Sequence, residues 1–194
     1  MDQIQQLDTN VSNRYGPDKI KYPAMIIDTS KIDLDQFMVN EHEFYGEPVK
    51  LIQPNHIGTK WTQANKHLRS VVINSVGEVI SAGFPKFVNW GENPDNFPIP
   101  NSLKNATIVE KVDGSLLSLS RYKGNYIIRT RGTVDASKID NGHEIEIFVK
   151  QLTDSGFLSH YNNVYGDTWN RSYIFEWTSP INKIVIDYGD VPLF

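Results

Sequence analysis

The stretch IVEKVDGSLLSLSRYKGNYIIRTRGT, residues 108–133, sets Lys111, Asp113 and Gly114 in a turn immediately before alternating strand-like sequence. A lysine amine is a nucleophile only when deprotonated, so its ordinary pKa of about 10.4 must be lowered by burial, by cationic neighbours or by a nearby metal ion. Arg69, Lys86, Arg129 and Arg131 supply such cations. The same cations suit a phosphate group undergoing in-line displacement by the amine, where positioning and charge stabilisation do most of the work. Gly114 allows backbone to approach a ligand closely, and Ser115 offers a hydroxyl for capping. A second reading takes the same five residues as an ordinary strand-leading Asp-Gly turn with a surface lysine. Downstream, Glu176 sits between Phe175 and Trp177 and alternates away from them, which on its own is the pattern of any solvated strand carboxylate.

The elements that must position these groups read as β-rich. Residues 69–84 alternate around a turn at Ser75–Gly77, and residues 115–133 alternate around Lys123-Gly124-Asn125, so both predict antiparallel hairpins. Strands are predicted at 172–177 and 183–188, separated by Thr178, Ser179 and Pro180. Over 141–157, Ile145, Phe148, Val149 and Leu152 fall at helical spacing and the pattern stops near Gly156. In the first sixty residues the patterns predict short helices near 3–7 and 33–44 and a strand near 50–53. Residues 89–102 carry enough Pro, Gly and Asn to be a surface loop. Tyr126, Ile128, Phe175 and Trp177 are expected in the core. The fold class is therefore α+β: antiparallel sheets with flanking helices.

Composition bounds the function. With 194 residues the chain suits one domain, 1–194. No apolar run is long enough to span a bilayer and no basic-then-apolar leader opens the chain, which points to a soluble, cytoplasmic protein with no membrane partner. The absence of cysteine excludes disulfides, a thiolate nucleophile and thiolate-bound zinc. Asn10, Asn105 and Asn170 lie in Asn-x-Ser/Thr triplets, expected to be chance matches in such a compartment. The five histidines show no metal-ligand spacing, and the metal residues are left unassigned. The net charge of -4 conceals a basic segment: residues 60–135 hold ten Lys/Arg against six Asp/Glu. A locally basic stretch in an acidic protein suggests an anionic ligand held at one place.

The residues EKVDGSLLSL resemble the Lys-x-Asp-Gly attachment motif of covalent nucleotidyltransferases, the polynucleotide ligases and mRNA capping enzymes. YIFEWTSPINKIVIDY (173–188) is similar to a signature of bacteriophage-type RNA ligases that repair broken tRNA, and LRSVVINSVGEVISAGFPKFVNWGE resembles that family's Arg-Gly strand and Lys-Phe-Phe-Asn segment. The resemblance spans 69–188 and implies a ligase-type adenylation domain. It implies Lys111 as the nucleophile forming lysyl-AMP from ATP, with Mg2+ or Mn2+ assisting. It further implies Gly114 beneath the nucleotide, Glu176 on the ribose hydroxyls, Arg69 and Lys86 on the nucleotide and its phosphates, and Arg131 as a basic residue near the site. Asp113 would shape the turn, and Ser179, Pro180, Asn182 and Tyr188 the strand pair around the base pocket. The implied partner is RNA, with tRNA ends foremost. Two positions depart from the family: Ser70 replaces glycine, and Val88 replaces the second aromatic. The family's C-terminal glutamate motif and Lys-x-Lys motif do not follow Tyr188. The expectation is thus a partial domain, with three situations open: a split ligase completed by a second chain, a shortened product, or a noncatalytic module binding a nucleotide or RNA end. A capping-type guanylyltransferase is the weaker reading, because 175–185 matches the RNA ligases.

Overall fold

The computed structural model describes residues 24–55, 58–139, 142–180, 184–189 and 194. A four-stranded antiparallel sheet is built in sequence order from β1 (Phe37–Phe44), β2 (Glu47–Pro54), β3 (Val71–Asn74) and β4 (Val79–Ala82). A three-stranded antiparallel sheet has β5 (Ser115–Tyr122) at its centre, between β6 (Asn125–Arg129) and β7 (Tyr173–Trp177). Two helices, α1 (His143–Asp154) and α2 (Phe157–Tyr165), cover the outer face of this second sheet. Antiparallel sheets with flanking helices are thus what the chain forms. None of the described helices is long and apolar enough to cross a membrane.

Alternation along β5 explains the layering. Leu117 and Leu119 point to the helices, where they meet Ile145, Phe148, Leu152, Phe157 and Trp177 in one buried cluster. Ser118 and Ser120 point the other way, fully buried against the four-stranded sheet. There Ser120 Oγ bonds Ser81 Oγ at 3.0 Å and Ser172 Oγ at 2.8 Å, while the Ala82 N–H donates to Ser172 Oγ at 2.8 Å. Beside this polar seam a second apolar cluster, including Leu51, Val72, Ile80, Tyr122 and Ile127, joins the two sheets. A third, built on Phe37, Ile52, Val71 and Ile73, covers the other face of the four-stranded sheet.

Both predicted hairpins form where expected, as do the strand at 173–177 and the one near 50–53. Tyr126, Ile128, Phe175 and Trp177 all join the helix-side cluster. Two readings are corrected. The helix expected over 33–44 is instead β1, paired with β2 from Phe37↔Pro54 to Phe44↔Glu47 across a tight turn at Tyr45-Gly46, both with positive φ. Pairing with a strongly apolar neighbouring strand overrides the helical composition of this segment. The helix predicted over 141–157 forms as His143–Asp154, and a second one, over sequence rich in Asn and Tyr, starts after Gly156. The strand expected at 183–188 does not appear among its described residues, 184–188. The carboxylate of Asp113 takes the amides of Val185 and Ile186, the groups a strand ladder would have used. The helix expected near 3–7 lies outside the described residues.

Candidate functional site

The start of β5, the end of β6 and the end of β7 lie at one end of the three-stranded sheet, because β5 runs antiparallel to both neighbours. Lys111 and Gly114 lead into that end, Arg131 leaves it, and Glu176 sits on its last turn of strand. Lys111 and Glu176 stand 65 residues apart in sequence, yet the β5–β7 pairing brings them together. Lys111 is exposed beside the Glu176 carboxylate. Burial pushes the Glu176 pKa up, and Asp113 adds to this; Lys111 and a bond from the Gly114 backbone pull it down, with burial the strongest influence. The outward alternation of Glu176 is therefore not plain solvation, since it faces the turn that carries the lysine.

Gly114 is required by packing. A Cβ at this position would lie 2.5 Å from the Trp177 carbonyl oxygen and 3.1 Å from Glu176 Cγ, so only glycine lets the turn close against β7. Asp113 locks the turn from the other side. One of its carboxylate oxygens accepts the N–H groups of Val185 at 2.7 Å and Ile186 at 2.8 Å, and its own N–H donates to the Tyr188 hydroxyl at 3.0 Å. The expectation that Asp113 shapes the turn thus has a geometric basis, and Tyr188 acts through the same lock. Ser179 donates to the buried Glu144 carboxylate at 2.9 Å, tying the chain after β7 to the first turn of α1. Asn182 lies outside the described residues.

The cations form a second group. The Arg69 guanidinium lies 4.6 Å from the centre of the Phe87 ring, and partial burial, with Arg131 nearby, holds its pKa below the ordinary arginine value. Two guanidinium groups so placed favour an anion between or above them. Among the described residues no ion pair engages Arg69, Lys86 or Arg131. Lys86 joins the group through its backbone, whose N–H donates to the Lys66 carbonyl at 2.8 Å, close to the Lys66–Arg69 helical turn.

Arg129 departs from what its sequence position suggests. Its side chain is fully buried between the sheets, so it is no surface neighbour for Lys111. It donates to Ser81 Oγ at 2.9 Å, to Ser70 Oγ at 2.7 Å and to the carbonyls of Ser70 and Thr130 at 3.0 and 3.1 Å. Ser70 Oγ in turn donates to the Arg131 carbonyl at 2.8 Å. Serine at position 70 is thereby explained: its hydroxyl accepts from a buried guanidinium and anchors the backbone that carries Arg131. The sequence signal was the pairing of an inward arginine on β6 with serines at alternating inward positions, legible only once the facing strands are known.

Of the carboxylates here, one oxygen of Asp113 accepts two amides and Glu176 accepts one from Gly114. No group of three or more His, Cys, Asp or Glu that could hold a metal ion occurs among the described residues. A cleft of about 380 Å³ lies elsewhere, between β4 and residues 168–172, and includes none of Lys111, Gly114 or Glu176 in its lining.

No protein-family model matches the chain. A search of curated proteins finds the "Putative bifunctional polynucleotide kinase/RNA ligase" of Autographa californica nuclear polyhedrosis virus, 28% identical over 139 residues, or 64% of this chain. The chain spans about a fifth of the length of that relative, as the match covers 20% of it. Sequence similarity therefore connects this chain with an RNA ligase-related protein.

Proposed function

We propose that this chain is the nucleophile-bearing portion of an ATP-dependent RNA ligase, with Lys111 as the residue that becomes adenylated. The observation that carries this reading is the meeting of Lys111, Gly114 and Glu176 across the β5–β7 pairing, three residues drawn from two distant motifs. Similarity to a viral protein named for RNA ligase activity supports it.

In the first step the Lys111 amine attacks the α-phosphorus of ATP. The N–P bond forms, the bond from the α-phosphorus to the bridging oxygen breaks, pyrophosphate leaves and the amine proton passes to solvent. Mg2+ or Mn2+ enters with the triphosphate as part of the substrate, since nucleotide-bound Mg2+ draws most of its ligands from phosphates and water. Arg69, Arg131 and Lys86 stabilise the phosphates, and Glu176 accepts hydrogen bonds from the ribose hydroxyls. In the second step an oxygen of an RNA 5′-phosphate attacks the same phosphorus, the N–P bond breaks and AMP caps the RNA end. A 3′-hydroxyl then attacks the RNA 5′-phosphorus and releases AMP.

Intact-mass spectrometry after incubation with ATP and Mg2+ or Mn2+ tests the first step. The expected result is an AMP adduct that Lys111→Ala abolishes. A folded sample that binds ATP and stays unmodified refutes catalysis by this chain. That outcome favours the second reading, a noncatalytic module that holds a nucleotide or RNA end, for which the exposure of Lys111 and the lack of ion pairs at Arg69 and Arg131 among the described residues speak.

A further inference from the structure

Three aromatic side chains lie close together in sequence on the surface just after β4: Phe84 is 50% exposed, Phe87 60% and Trp90 67%. A single exposed apolar side chain is ordinary, but three exposed rings within seven residues, two of them in contact with each other, ask for a partner. The rings are not on a slack segment. The Lys86 N–H bonds the Lys66 carbonyl at 2.8 Å, Asn93 Nδ2 bonds the Trp61 carbonyl at 3.3 Å, and Gln63 Nε2 bonds the Asn96 carbonyl at 2.6 Å. Phe84 and Phe87 meet edge to face with ring centres 6.4 Å apart.

Cations are interleaved with the rings. Lys86 stands between Phe84 and Phe87 in sequence, Arg69 lies over Phe87, and the Lys66 carbonyl accepts the Lys86 N–H while the Lys66 ammonium donates to Gln63 Oε1 at 2.6 Å. Two acids lie in the same loop, Glu92 and the exposed Asp95, and Glu92 is engaged by the backbone N–H and the side-chain amide of Asn89 at 3.0 and 3.2 Å. Exposed flat rings alternating with positive charge, which no ion pair engages among the described residues, match a polyanion that offers flat faces at regular spacing. An apolar protein partner would not account for the charges, and an acidic peptide would not account for three rings.

We infer that Phe84, Phe87 and Trp90, with Lys66, Arg69 and Lys86, form a stacking surface for single-stranded RNA that leads to the Arg69–Arg131 cation pair. The choice of RNA rests on the ligase reading above; the choice of a single strand rests on the rings, because paired bases present no free faces. Phe84 and Trp90 stack bases, and Phe87 holds Arg69 against the backbone phosphates.

The test uses the full chain and a 5′-phosphorylated single-stranded RNA of about a dozen nucleotides. Of the four tryptophans, Trp169 and Trp177 are buried and Trp61 is half-buried, so the exposed Trp90 reports contact through the part of the fluorescence quenching that Trp90→Phe removes. Expected are quenching by the single strand that Trp90→Phe removes, and affinity for labelled RNA lowered about five- to tenfold by Phe84→Ala or Trp90→Ala. The same affinity should fall with salt at a log–log slope of about -2, for three phosphate contacts. Duplex RNA should bind more weakly than the single strand. Unaltered RNA affinity in both alanine variants, or equal binding of duplex and single strand, overturns the inference. Adduct formation at Lys111 requires no RNA, so both alanine variants should still be adenylated. RNA bound through the rings without any adduct would sink the ligase reading and leave the stacking surface standing.

Discussion

Replacing Arg129 with methionine probes the junction between the sheets, and its effect follows from the surroundings of the guanidinium. Burial lowers its pKa from the ordinary arginine value to about 9. Keeping the charge inside at neutral pH therefore costs about 5 kcal/mol, at about 1.4 kcal/mol per pH unit. Against this stand four hydrogen bonds from a charged donor, each contributing about 1.5–3 kcal/mol. The balance leaves the guanidinium stabilising by about 1–7 kcal/mol, with about 4 kcal/mol as the central value. Methionine fills much of the same volume, so the change isolates the polar interactions from a cavity effect. The sign with pH also follows. Above about pH 9 the unfolded chain still holds a proton that the folded guanidinium releases, so stability rises with pH there; below pH 9 the contribution is flat. Urea denaturation at pH 7 is the assay, comparing midpoint and slope for Arg129→Met and the parent. A loss of about 4 kcal/mol with an unchanged slope is expected. Stability equal to or above the parent would refute the reasoning, since buried charges are sometimes improved by apolar replacement, and Arg129 would then not be what clamps the sheets.

Two further outcomes bear on the site itself. Gly114→Ala forces a methyl to within 2.5 Å of the Trp177 carbonyl, so it should destabilise the fold by about 1–3 kcal/mol in urea denaturation and prevent the AMP adduct; a stable, adenylated variant would show that the β5–β7 contact is looser than described. Glu176 has a carboxyl pKa raised chiefly by burial, so the folded state holds its proton more tightly and its contribution to stability falls as pH rises from the unfolded value of 4.5 through the higher folded one. Glu176→Gln should remove that dependence from a pH series of thermal melts while lowering nucleotide affinity; melts that keep the same pH profile would contradict it.

The Lys-x-Asp-Gly turn, both hairpins and the β7 strand were legible in the sequence because each rests on local rules: turn residues with a fixed conformational preference, and alternation with period two. The lysine and glutamate were identifiable as partners through motif resemblance, although neither residue's own surroundings in sequence distinguish it from a surface group. Strand β1 escaped because DLDQFMVNEHEF has the composition of a helix, and only the long ladder with β2 makes it extended. The segment after Pro180 escaped for the converse reason. Its apolar run promises a strand, but the described part makes no strand and gives two of its amides to Asp113.

Sequence by itself determined the chemistry available: an amine beside a turn, a carboxylate at an alternating position, and basic residues concentrated between 60 and 135. Only the tertiary structure decided how those groups divide. Arg129 and Arg131 are two residues apart with the same character in sequence, yet one lies wholly inside, bonded to serines of the facing strands, while the other is exposed beside Arg69. The reason is physical. Whether a guanidinium is buried depends on acceptors brought by other strands, and those strands meet it only after the two sheets have packed.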